Sequence, residues 1–374
     1  MADFKLDLNR TYLLCRPRGG FNDVMVQIEK CRLYAIKFNR VLIIDTTRSG
    51  MKLPFQDVFT AQDSFGCEVL GWTSEMIPAF DEATSVYPSE ICHRVSSYAT
   101  NWVPQHKYFV DTETGRELNF DAAIDHSEQV IVYEQAGGGP ASFAALDRLS
   151  FVPKFARLIT NNLRHLNANF DAVHIRHSDY KTDFATFLTR LRPVLRGRQV
   201  LICSDSADAI SSASKILHPT TTLLSVTETP DLGGVPLHST DELDATEALV
   251  DLLSDLIALS LSRRLFFTSL SGGHTDDLRI SGFSLLAFIL NKNPDTVRRL
   301  LAAGDPAEID WQFAKATRDS SVTRRFHLIN YFRWNRRVIT QAYSRNRRAK
   351  RQSAPPEQVG ARYVGNTSNT APTN

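Results

Sequence analysis

A chain of 374 residues with 43% apolar side chains can build two hydrophobic cores or one large one. Its 43 Lys and Arg nearly balance 41 Asp and Glu, and the formal charge of +2 does not mark a nucleic-acid binder. The start lacks a basic stretch followed by an apolar one, no apolar run is long enough to span a bilayer, and the scattered cysteines Cys15, Cys31, Cys67, Cys92 and Cys203 form no C-x-x-C pair; a cytoplasmic protein without a disulfide framework or zinc site is expected.

Tyr12-Leu13-Leu14-Cys15 predicts a strand, broken by Arg16-Pro17-Arg18-Gly19-Gly20. An apolar stripe of helical period runs over 23–38, and Val41-Leu42-Ile43-Ile44-Asp45 predicts a second, buried strand. Strand, Gly-rich turn, helix and strand make a βαβ unit, which implies a parallel sheet. The stretch 49–125 gives only short, irregular signals. Gln129 to Tyr133 predicts another strand, and Phe151 to Leu166 a helix that could carry the crossover between two domains. A second alternating block follows: strands at 172–175, 200–203, 222–226 and 265–268, with helices over 184–195, 207–217, 246–261 and 282–290. The expected fold is α/β. Two Rossmann-like domains, 1–165 and 166–330, face each other across a cleft, and ligands bind such sheets at the carboxyl ends of the strands. Beyond them, 331–374 is expected to form a basic helix and a disordered tail, with Arg333, Arg336, Arg337, Arg345, Arg347 and Arg348 among Phe332, Trp334 and Tyr343.

The sharpest segment is Val173-His174-Ile175-Arg176-His177-Ser178-Asp179, where a strand ends and a loop begins. An Arg there projects a permanently charged guanidinium into the cleft, matched in shape and charge to phosphate. Read from the residues alone, Arg176 is equally able to pin the turn by pairing with Asp179. Ser204-Asp205-Ser206 also follows a strand; Asp205 could bind a ligand's ribose, order the cleft, or cap the helix from Ala207.

The segment from His174 to Asp179 resembles the His-x-Arg-x-x-Asp signature of the fucosyltransferase superfamily, which includes α1,2-, α1,6- and protein O-fucosyltransferases and the nodulation fucosyltransferase. Many members carry a second Arg directly after the first; here that position is His177. Gly19-Gly20-Phe21-Asn22-Asp23 resembles the family's donor loop, and Gln27, Tyr34-Ala35, Asn39-Arg40 and Asp45 fit the run that follows it. The resemblance implies the GT-B architecture. It also implies Arg176 on the donor's β-phosphate and a donor site completed by Gly20, Phe21, Asn22, His174, Asp179 and Asp205, with His174 near the guanine end. An Asp on a helix reads the base, for which Asp255 fits best and Asp251 next. A Ser-rich turn opening a helix holds phosphate; Ser281 and Ser284 resemble it most, then Ser271.

The resemblance thus implies transfer of a sugar, most simply L-fucose from GDP-fucose, to a hydroxyl of a glycan-type acceptor, with inversion, with neither metal nor other cofactor. Glu134, after a strand in the N-terminal half, is a candidate base for the acceptor hydroxyl; a surface loop carboxylate is the plainer reading. A non-catalytic nucleotide-sugar-binding scaffold, or a GT-B transferase using another donor, are the rivals. The basic tail is either a solvated helix or a peripheral contact with anionic lipid on the cytoplasmic membrane face; no nucleic acid is expected as a partner.

Overall fold

The structure, a computed structural model, describes residues 4–166, 169–178, 180–231, 243–270 and 280–304. The basic tail and the membrane contact expected of it lie outside these residues, as do Asp179 and Ser271.

In the N-terminal half, β1 (Tyr12–Cys15) leads into α1 (Phe21–Lys37) and β2 (Val41–Ile44). Then come α2 (Phe55–Val58), β3 (Phe59–Ala61), β4 (Val69–Gly71), α3 (Ile77–Asp81), β5 (Val86–Tyr87), β6 (Thr100–Val103), β7 (Tyr108–Asp111), β8 (Val130–Tyr133), α4 (Ser142–Leu146), β9 (Leu149–Phe151) and α5 (Pro153–Leu163). The main sheet has the order β4-β2-β1-β8-β5, and every pairing in it is parallel. β1, β2 and β8 are buried at every position, which is why each reads as a continuous apolar run. α1 covers one face of the sheet with Val24, Met25, Ile28, Cys31, Tyr34 and Ala35, a stripe at helical spacing. The stretch 49–125 resolves into short strands, short helices and turns; within it β6 pairs antiparallel with β7, and β3 pairs antiparallel with β9 further along the chain.

The C-terminal half contains β10 (Asp171–Ile175), α6 (Phe184–Leu195), β11 (Gln199–Ser204), α7 (Ala207–Leu217), β12 (Thr222–Leu224), α8 (Ala245–Leu261), β13 (Arg264–Phe267), α9 (Gly282–Asn291) and α10 (Pro294–Leu301). Its sheet, β12-β11-β10-β13, is again parallel throughout. One continuous apolar core joins the halves. It runs from Leu13 and Ile131 through α1 and α5 to Leu256 on α8, Leu286 on α9 and Ala172 on β10. α10 turns back onto the N-terminal half, where Arg299 Nη2 pairs with Asp147 Oδ1 at 2.5 Å and donates to the Asp147 carbonyl at 2.6 Å. No helix among the described residues is long and apolar enough to cross a membrane.

Candidate functional site

β10 lies between β11 and β13, so the residue following it emerges at the middle of the sheet's carboxyl edge. That residue is Arg176. Its amide donates to Thr268 Oγ1 at 3.1 Å and its carbonyl accepts from Thr182 Oγ1 at 2.8 Å. Its Nη1 lies 2.5 Å from Asp205 Oδ2, and the guanidinium side chain is 21% exposed. Asp205 gathers the loop around it. Oδ1 accepts from the amides of His177 at 2.7 Å and Ser178 at 3.2 Å, and Oδ2 accepts from Ser178 Oγ at 2.6 Å. These charge-assisted bonds hold the arginine's backbone and head group together. The cap of α7 is Ser206, whose hydroxyl accepts from the Ala209 amide, so Asp205 orders the cleft instead of capping the helix.

His174, one turn of the pleat earlier, is buried, and its Nδ1 is 2.6 Å from Ser284 Oγ. Burial is the main reason its pKa falls to about 4, with Arg176 adding to the depression and Asp205 opposing it. The imidazole is therefore neutral at pH 7 and serves as a hydrogen-bonding strut. Ser284 in turn receives Ser281: the Ser281 hydroxyl caps α9 by accepting from the Ser284 amide at 3.0 Å, and the two hydroxyls are 2.8 Å apart. The Ser-rich turn thus ties the start of α9 to the strand bearing Arg176.

The opposite wall comes from the N-terminal half. Gly19 takes φ +91°, a left-handed conformation that suits glycine, and Gly20 begins α1 with no side-chain cap. The first amides of α1 are thus left available to an anion. Asn22 is buried, accepting from Ser142 Oγ at 2.8 Å. It lies so near α9 that a Cβ on Gly282 would be 2.4 Å from Asn22 Nδ2. Asp23, in the same first turn, faces the cleft. Burial raises its carboxyl pKa, against the lowering effects of Asn22 and Arg176.

The resulting cleft has a volume of about 360 Å³ and lies between the halves. Of the residues singled out from the sequence, Gly20, Phe21, Asn22, His174, Arg176, Asp205, Asp255 and Ser281 all line it. Ser284 sits just behind, through His174 and Ser281. Asp255 accepts from Thr227 Oγ1 at 3.0 Å, and burial pushes its pKa up to about 7. His177 does not supply a second cation: its Nδ1 accepts from the Thr182 amide at 3.1 Å, its ring packs edge-on against Phe184, and burial lowers its pKa.

Glu134 is the expectation the structure corrects. It is fully buried, and it is neither a surface carboxylate nor a group lining the cleft. Oε2 accepts from Tyr98 Oη at 2.6 Å and Arg48 at 3.2 Å; Oε1 accepts from Thr100 Oγ1 at 2.7 Å and has Arg18 at 3.5 Å. A carboxylate so occupied by two guanidiniums and two hydroxyls has no lone pair turned to a substrate proton. A cleft-lining carboxylate that sequence reasoning did not single out is Asp23. Its signal was there, an acidic residue closing the Gly19-Gly20-Phe21-Asn22 loop, but a first-turn Asp is also an ordinary helix-dipole partner.

Two parallel Rossmann-like sheets with a cleft at their carboxyl edges define the GT-B class of fold. Solved structures of a fucosyltransferase are among those the chain is similar to. The crystal structure of NodZ alpha-1,6-fucosyltransferase co-crystallized with GDP matches with a TM-score of 0.50 at 17% identity, over 75% of this chain and 92% of that one. The fucosyltransferase NodZ from Bradyrhizobium matches with a TM-score of 0.50 at 18% identity, over 75% of this chain and 93% of that one. No family model matches the chain, and no curated protein does. At this identity the likeness establishes the fold, and the function is argued from the cleft.

Proposed function

We propose that the protein is an inverting glycosyltransferase that moves a sugar, most simply L-fucose, from a GDP-linked donor to a hydroxyl of a glycan-type acceptor. One observation carries this reading: a guanidinium is anchored by Asp205 at the centre of the C-terminal sheet's carboxyl edge, inside a cleft that also contains the carboxylate of Asp255 and a capped helix start. In this reading the nucleotide rests on the C-terminal half, with Asp255 accepting from guanine N1–H and the 2-amino group. The diphosphate lies between Arg176 and the start of α9. As the sugar–phosphate bond breaks, charge grows on the β-phosphate oxygen. A cation already in place stabilises that charge more than it stabilises the ground state, which is what accelerates the step. Arg176 thereby meets the need that a divalent cation meets in other sugar transferases.

Two measurements test the proposal. GDP and GDP-fucose should raise the melting temperature where UDP and UDP-sugars do not. Arg176→Ala should lower GDP release from GDP-fucose by on the order of a hundredfold or more, measured below the variant's own melting temperature; EDTA should leave the rate unchanged. Near-native turnover by Arg176→Ala rejects the role of Arg176, and GDP binding without turnover against any acceptor favours a binding protein over an enzyme.

A further inference from the structure

We propose that Asp23 is the general base that takes the proton from the acceptor hydroxyl, a role that rests on the donor-cleft reading above. Four observations converge on it. First, Asp23 faces the cleft from the N-terminal half while Arg176 faces it from the C-terminal half. The two are near enough for the guanidinium's field to act on the carboxylate. In the donor pose proposed above, with the diphosphate on Arg176, the wall that carries Asp23 is the one left to the sugar and acceptor. Second, the carboxylate has room made for it. It is flanked by two glycine loops, and a Cβ at Gly19 would lie 2.8 Å from its Oδ2 and one at Gly138 2.7 Å from its Oδ1. Neither flanking position carries a side chain to cover it. Third, the other two carboxylates that line the cleft are engaged. Asp205 is bound to Arg176, and Asp255, on α8 of the C-terminal half, accepts from Thr227 and is assigned to the guanine base in the reading above. Asp23 is the cleft carboxylate carried by the N-terminal half, and among the described residues it has no ion pair. Fourth, burial lifts its proton affinity above that of an ordinary carboxylate, toward the working range of a base.

The step balances within the cleft. An Asp23 oxygen accepts the hydroxyl proton as the acceptor oxygen bonds to the anomeric carbon. The bond from that carbon to the β-phosphate oxygen breaks on the opposite face, and its electron pair leaves on GDP, stabilised by Arg176. The proton on Asp23 then passes to solvent. Arg176, Asp205, His174, Asp255 and Tyr180 are the titratable groups that share the cleft with Asp23.

The test uses the full chain, GDP as the binding probe, and GDP-fucose with water as acceptor, read as GDP release. For Asp23→Asn, stabilisation by GDP should equal or exceed that of the native protein, since a negative charge near the diphosphate is gone. Its GDP release at saturating GDP-fucose should fall by about 10²–10⁴-fold, and the acidic limb of the native rate profile under the same saturating conditions should vanish. Asp23→Glu, which keeps the base on a longer arm, should release GDP faster than Asp23→Asn. An Asp23→Asn protein that binds GDP and turns over within about threefold of native overturns the assignment while leaving the donor site standing. A native protein that GDP does not stabilise removes the donor reading and this role with it.

Discussion

If Asp255 reads the base as proposed, its burial makes that recognition sensitive to pH. Its carboxyl faces the cleft from the middle of α8, and loss of water raises its pKa to about 7, with the Thr227 hydroxyl opposing the shift and Asp251 adding to it. Guanine offers it two donors, so the complex requires the ionised form. Below pH 7 binding must first remove a proton, and affinity falls; above pH 7 it levels off. GDP-fucose affinity should therefore weaken about tenfold from pH 8 to pH 6, and Asp255→Asn should bind more weakly with a flat profile. Titration calorimetry with GDP-fucose isolates the effect, because its doubly esterified diphosphate has no proton to lose in this range. A native profile as flat as that of Asp255→Asn would refute the role. Arg176 and His174 were legible in the sequence because a strand end is a local feature. Glu134 was not, because nothing near it in sequence announces Arg18 and Arg48, which reach it from loops far along the chain.

The start of α9 is where the two walls of the cleft touch. Ser281 caps the helix, its hydroxyl bonds to Ser284, and Ser284 braces His174. Next to this cap, Gly282 lies against Asn22 of α1. A methyl group at 282 must push the Asn22 amide aside, and that amide is held by Ser142 and, at 3.5 Å, by the Gly139 carbonyl. Gly282→Ala should lower stability by about 1–3 kcal/mol and weaken GDP stabilisation. Combined with Asn22→Ala the cost should be less than the sum of the two single changes, because the colliding amide is gone. Thermal melts of the three variants check this; strict additivity would mean that the contact does not couple the walls. The helices of the second half matched their expected spans closely, α6 over 184–195 and α7 over 207–217. Their apolar periodicity is strong and uninterrupted. The elements at 49–125 are too short to build such a period, and α4, of five residues, gave no signal either.

Over the whole molecule, the halves are coupled through a shared apolar core and through α10, which crosses back to Asp147. Lobes joined only by a linker would melt separately; lobes that share a core lose it together. Calorimetry should show one transition with matching calorimetric and van't Hoff enthalpies, and saturating GDP should move its midpoint up by several degrees without splitting it. Two resolved transitions would mean that the shared core contributes little.

The amino-acid sequence by itself determined the α/β alternation, the parallel character of both sheets and the placing of Arg176 at a strand end. These follow from short-range periodicity and from the turn residues that interrupt it. Only the tertiary structure decided the strand orders, the burial of Glu134, the tie from Asp205 to Arg176, and the placing of Asp23 and that guanidinium on one cleft. Each of these depends on groups distant in sequence being brought together and stripped of water. The energy of a charge or a hydrogen bond is set by that surrounding more than by the residue that carries it.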